Sequence, residues 1–121
     1  MILGLRTAIY PVPDLTHGKR WYSAVLGQDP YFDQPFYVGF SVGGFELGLI
    51  PEGQTGTAGP QPLWGVDDIE ATLTHLLELG AAPLDPVNDV GGGIKVAAVT
   101  DPFGNRFGLI QNPHFRREQV R

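Results

Sequence analysis

The stretch Asp101-Pro102-Phe103-Gly104-Asn105-Arg106-Phe107-Gly108-Leu109-Ile110-Gln111-Asn112-Pro113 decides how the chain is read. Its first half predicts a turn. Pro102 restricts φ, and Gly104-Asn105 are residues that tolerate positive φ. Its second half predicts a strand that starts at Arg106 and is stopped by Pro113. Side chains alternate along a strand, so Phe107, Leu109 and Gln111 share one face and Arg106, Gly108 and Ile110 the other.

Outward from this strand, the second half reads in reverse as strand Ile94 to Thr100, a loop over Asn88 to Gly93, and strand Ala82 to Val87 with proline at both margins. Before these, Asp67-Asp68 cap a helix whose apolar face is Ile69, Leu73, Leu76, Leu77 and Gly80, and Gln61 to Val66 is a strand. The first half has the same order. Ile2 to Tyr10 is a strand and Asp14 caps a helix. Leu15, Gly18, Tyr22, Val25 and Leu26 share that helix's apolar face, with Trp21 on its flank and Gly27 at its end. Three short runs follow, Gln28 to Gln34, Phe36 to Val42 and Phe45 to Ile50. Gly43-Gly44 joins the last two as a hairpin.

The junction Val12-Pro13-Asp14-Leu15 … Leu26-Gly27 is echoed by Val66-Asp67-Asp68-Ile69 … Leu79-Gly80. Each half is therefore strand, helix, strand, strand, strand. The chain reads as one domain: module one over about 1–52, a loop over 51–60, module two over 61–113 and a basic tail over 114–121. Each four-stranded sheet carries a helix on one face only. The other face must be covered by the other half, a second chain or a ligand.

Composition excludes several classes. With 121 residues, 42% hydrophobic and 17% charged, the chain is long and apolar enough to fold around a core. Net charge is −5; three arginines against one glutamate make the tail +2 and leave −7 on the rest, which argues against nucleic-acid binding. The absence of cysteine excludes disulfides and thiolate chemistry. No apolar run approaches membrane-spanning length and no signal peptide is visible, so a cytoplasmic protein without membrane contact is expected.

The ordered motifs Val12-Pro13-Asp14-Leu15, Trp21-Tyr22, Leu26-Gly27, Trp64-Gly65-Val66-Asp67-Asp68 and Asp101-Pro102-Phe103-Gly104-Asn105 resemble the vicinal oxygen chelate superfamily. That superfamily includes glyoxalase I, bleomycin-resistance proteins, fosfomycin-resistance enzymes and extradiol dioxygenases. The resemblance implies an α+β fold of two tandem βαβββ modules forming an open, cup-shaped mixed sheet, working as a homodimer. In metal-dependent members four inward-facing His, Glu or Gln side chains bind a divalent cation. The matching positions here are Thr7, Glu46, Gln61 and Gly108. Gly108 offers no side chain and Thr7 only a neutral hydroxyl, so no metal cofactor is expected beyond a weakly held divalent cation at Glu46 and Gln61. His17, His75 and His114 fall on helices or in the tail and replace none of these.

Without a metal, the cup reads as an apolar, aromatic-lined pocket for a small organic ligand, to which the middle strands add some of Tyr31, Phe32, Phe36, Val38 and Phe40 with parity left open. Its candidate ligand-binding residues are Thr7, Ile9, Phe40, Glu46, Gln61, Leu63, Arg106 and Gly108. Glu46 is either a functional carboxylate or a rim residue paired with Arg106 or Lys95. Two function classes follow. One is a binding protein resembling the bleomycin-resistance branch, which sequesters an apolar or cationic molecule. The other is an enzyme, either of glyoxalase type with a degenerate metal site or a metal-free proton-transfer catalyst with Glu46 as base. The second requires Glu46 to be buried with a raised pKa.

Overall fold

The computed structural model describes residues 1–121. The doubled order is present: β1 (Thr7–Pro11), α1 (Leu15–Leu26), β2 (Phe32–Gln34), β3 (Tyr37–Val42) and β4 (Phe45–Ile50), then β5 (Leu63–Gly65), α2 (Ile69–Glu78), β6 (Ala82–Gly91), β7 (Ile94–Thr100) and β8 (Arg106–Gln111). A short 3₁₀ turn, Arg117–Gln119, lies in the tail. The fold is α+β, with two four-stranded mixed sheets ordered β1-β4-β3-β2 and β5-β8-β7-β6. In each sheet the module's first and last strands pair in parallel and the remaining neighbours antiparallel. The chain divides into two compact units, Met1–Thr55 with Arg121, and Gly56–Val120. No helix is long and apolar enough to cross a membrane.

In the first unit the Asp14 side chain accepts the His17 amide at 3.0 Å and starts α1. Gly43 and Gly44, at φ 58° and 89°, make the tight turn between β3 and β4. That turn sets Val42 opposite Phe45, hence Phe40 opposite Leu47 and Ser41 opposite Glu46. Strand alternation then divides the sheet. Ala8, Tyr10, Val38, Phe40, Leu47 and Leu49 are buried on the α1 side. Each large aliphatic or aromatic side chain so buried contributes about 1.5–3 kcal/mol. Trp21, expected on the helix flank, is buried instead, its ring edge-on to Tyr22 at 4.9 Å.

In the second unit Phe107 and Leu109 are buried with Ala97 and Val99, as the alternation of β8 requires. Asp68 caps α2 by accepting the Ala71 amide at 3.1 Å. Gln111, on the same face as Phe107 and Leu109, accepts the Ile69 amide at 2.9 Å and satisfies another free donor of that helix start. The turn before β8 is held by Asp101, whose Oδ1 accepts the amides of Phe103 and Asn105 at 2.9 and 2.8 Å. Gly104 takes positive φ; Asn105 does not. Asn105 serves the turn through its side chain, donating to Asp101 Oδ2 at 3.1 Å and accepting the Gly56 amide at 3.3 Å.

Several boundaries differ from the sequence reading. Residues 2–6, 28–31 and 61–62 lie outside strands. β6 runs on to Gly91, through most of the expected 88–93 loop. Its prolines, read as terminators, are accommodated because β6 is the sheet's edge, where a missing N–H leaves no ladder bond unmade. Three register shifts against β7 absorb the distortion.

Candidate functional site: a hydroxyl-bound carboxylate on an open sheet face

Paired residues share a sheet face. On the side of the first sheet away from α1, the register places Thr7, Glu46 and Ser41 in one row and Ile9, Gly48, Gly39 and Phe32 in the next. Gly39 and Gly48 are neighbours and leave the sheet bare between Glu46 and two tyrosines. A Cβ on Gly39 would lie 2.8 Å from Glu46 Oε2 and 3.1 Å from Tyr31 Cε1, and one on Gly48 would overlap the Tyr37 hydroxyl. The bare floor lets Tyr31, Tyr37 and Glu46 converge on the sheet.

Glu46 is partly buried and receives three hydroxyls. Its Oε1 accepts from Tyr37 at 2.7 Å and from Thr7 at 3.2 Å. Its Oε2 accepts from Tyr31. The Tyr31 bond is the main cause holding the Glu46 carboxyl below its ordinary value; desolvation opposes it, and the Tyr37 and Thr7 bonds assist. The phenols move the other way. Burial, then the bond to Glu46, pushes Tyr37 well up, and the bond to Glu46 raises Tyr31. The cluster therefore holds a negative charge at neutral pH, between a weak base and two weak acids.

Of the residues expected at the site, Thr7 and Glu46 meet directly and Ile9 shares their face, 54% exposed. Phe40 does not belong with them. It is fully buried on the opposite, α1-facing side, because the hairpin sets it opposite Leu47. Tyr37 was missed, and Tyr31 was expected only as one of several aromatics whose parity stayed open. Tyr37 was legible, since the same hairpin register puts it on the face of Gly39 and Ser41. Tyr31 carries no such signal, because it precedes β2 and is placed by its amide's bond to the Gly39 carbonyl at 2.9 Å.

In the second unit, Gln61 is exposed ahead of β5. Leu63 stands opposite Gly108 as Ile9 stands opposite Gly48. The amide of Val12 donates to Ile50 at 2.8 Å and that of Val66 to Ile110 at 2.9 Å, which fixes the same correspondence. Arg106, rather than Gly108, is thus the counterpart of Glu46. Its guanidinium is ion-paired with Asp85 at 2.7 Å.

These residues do not fit a divalent cation. A Cβ on Gly108 would lie 2.6 Å from Leu63 Cδ2 and 2.7 Å from the Pro62 carbonyl, so the position is filled as well as empty of donors. Arg106 is a cation, and Glu46 already serves three hydroxyls. His17 lies on α1, His75 on α2 and His114 beside the Gly92 carbonyl at 2.6 Å. No three or more His, Asp or Glu side chains gather at one point. Two open depressions lie elsewhere, one along the tail at His114 to Val120 and one between Leu15, Lys19 and Asp33. The Glu46 cluster is the stronger candidate, because neither depression gathers hydroxyl donors around one partly buried charge.

A doubled βαβββ chain with this order of strands defines a small class of proteins. The chain belongs to the Glyoxalase/Bleomycin resistance protein/Dioxygenase superfamily, whose family model matches residues 4–109. It is 27% identical over 109 residues to CFP32 of Mycobacterium tuberculosis, whose name marks it as a candidate glyoxylase, and to its Mycobacterium bovis counterpart. That match takes in 81% of this chain and 41% of the relative, so the chain spans about two-fifths of the length of these curated relatives. Among solved structures, lactoylglutathione lyase from Agrobacterium tumefaciens superposes with a TM-score of 0.77 at 18% identity, covering 96% of this chain and 100% of that one. A glyoxalase-related enzyme from Fulvimarina pelagi superposes with a TM-score of 0.75 at 18% identity, over 93% and 90%. At these identities the structural likeness speaks for the fold.

Proposed function

We propose that the protein binds a small organic molecule, apolar or cationic, on the uncovered face of its first sheet and does so without a metal. The observation that carries this reading is the convergence of Thr7, Tyr31 and Tyr37 on the Glu46 carboxylate. A charge held by neutral donors on an open, aromatic face suits recognition. The proton-transfer alternative is disfavoured by the same geometry. A general base works best with a pKa near the operating pH, and the three hydroxyls hold Glu46 below even its ordinary value. A lyase of glyoxalase type needs a Lewis-acid metal, for which the second unit supplies no donor at Gly108 or Arg106. The cytoplasmic homodimer expected from the sequence remains part of the proposal.

The test is metal analysis of protein purified without chelator, together with a thermal-shift screen of small ligands. The proposal expects far less than one equivalent of Ni²⁺, Zn²⁺ or Fe²⁺ per chain and a ligand-dependent rise in midpoint. One equivalent of metal would overturn it. Sedimentation at micromolar concentration tests the dimer, and a monomer would remove that part.

A further inference from the structure

We propose that this face is a cage for a fully alkylated ammonium group, walled by Tyr31, Phe32, Phe36 and Tyr37 and counter-charged by Glu46. The proposal rests on the ligand-binding reading above and gives the ligand its chemical class.

The four rings are neighbours set at steep angles. Phe32 lies 6.5 Å from Tyr31 at 55°, 6.0 Å from Phe36 at 67° and 6.1 Å from Tyr37 at 62°. Rings tilted in this way present faces and edges in several directions, as walls do, whereas a parallel stack would present one. They are also open. Tyr31 and Phe36 are each 64% exposed and Phe32 is 38% exposed. An aromatic face attracts a cation that sheds its water easily, and several faces around one cation do so together.

The carboxylate selects among cations. Both its oxygens are already engaged, Oε1 by Thr7 and Tyr37 and Oε2 by Tyr31. These donors are neutral, so the charge survives while most of the acceptor capacity is used. A primary ammonium brings three N–H donors and would lose water bonds that this carboxylate cannot replace. An ammonium without N–H needs no acceptor. It takes the charge of Glu46, the ring faces, and the attraction of a chain with net charge −5.

The experiment is calorimetric titration of the whole chain, in chelator, with three probes that share a hydroxyethyl chain: choline, its neutral isostere 3,3-dimethylbutan-1-ol, and ethanolamine. Choline is expected to bind at least about tenfold more tightly than either of the others. Phe32→Leu and Glu46→Gln are each expected to weaken choline several-fold, and Phe32→Tyr, which keeps the ring, to preserve binding. Circular dichroism and the midpoint of each variant establish that it is folded. Equal binding of choline and its isostere would overturn the cage and leave an apolar ligand site. No binding of choline, with other small molecules still raising the midpoint, would overturn the cage alone. No rise with any small molecule would overturn the ligand-binding reading as well.

Discussion

Tyr37 stands over Gly48. Its hydroxyl occupies the space that any side chain at position 48 would need, and from there it donates to Glu46 at 2.7 Å. The glycine is therefore part of the site. It sets the height at which a phenol crosses the sheet and meets the carboxylate.

Gly48→Ala should consequently displace Tyr37. We expect a loss of stability of about 1–3 kcal/mol, as for overpacking elsewhere, measured by urea denaturation. Spectrophotometric titration should show one tyrosine returning toward the ordinary phenol value of 10.0 as it leaves its buried seat and loses its bond to Glu46. A variant with unchanged stability and titration would mean that Tyr37 is not seated on Gly48.

The pH dependence of stability has two limbs. Glu46 is depressed in the folded state, so its contribution is present above the ordinary value of 4.5 and is lost as pH falls through the lower folded value. Tyr31 and Tyr37 are raised, so their contribution is complete below the ordinary value of 10.0 and is lost as pH rises through their higher folded values. Against Glu46→Gln, the wild type should lose its relative advantage below pH 4.5. Midpoints measured from pH 3 to 7 check this, and curves that stay parallel throughout would contradict it.

Most of this frame was legible in the sequence, and the exceptions have physical causes. The alternation of β8 put Phe107 and Leu109 on one face, and that face is packed into the core, where burial specifies parity strongly. Gly43-Gly44 announced the β3–β4 hairpin, and followed one step further it also fixes the register. Phe40 then falls opposite Leu47, away from Glu46, and Tyr37 falls on the site. Tyr31 could be offered as a candidate but not placed. It reaches Glu46 across a separation of fifteen residues from an irregular segment that has no period to read. The extent of β6 was hidden by its prolines, which an edge strand tolerates and a central strand does not.

The turn that identifies the fold should also limit its stability. Asp101 and Asn105 are buried and bonded to each other at 3.1 Å. Asn105→Ala removes a buried bond to Asp101 and the acceptor of the Gly56 amide, and should cost about 1–3 kcal/mol by chemical denaturation. A change below about 0.5 kcal/mol, the range of ordinary surface substitutions, would show that the turn does not depend on this clamp.

Placing a carboxylate at Gly108, the position matched to a metal ligand by sequence spacing, should not create a metal site. Gly108→Glu must displace Leu63 and crowd the Pro62 carbonyl. We expect a lower thermal midpoint that Ni²⁺ and Zn²⁺ leave unchanged. A metal-dependent rise in that midpoint would show that the second unit can reorganise into a ligand set.

In the function proposed for this chain, ligand recognition runs through the Glu46 carboxylate and needs no metal. Thermal shift in excess chelator, comparing wild type with Glu46→Gln against the same small-molecule panel, tests it most directly. We expect a ligand-dependent rise that persists in chelator for the wild type and is lost or sharply reduced in the variant. A rise that disappears with chelator, or one that the variant keeps in full, would contradict it.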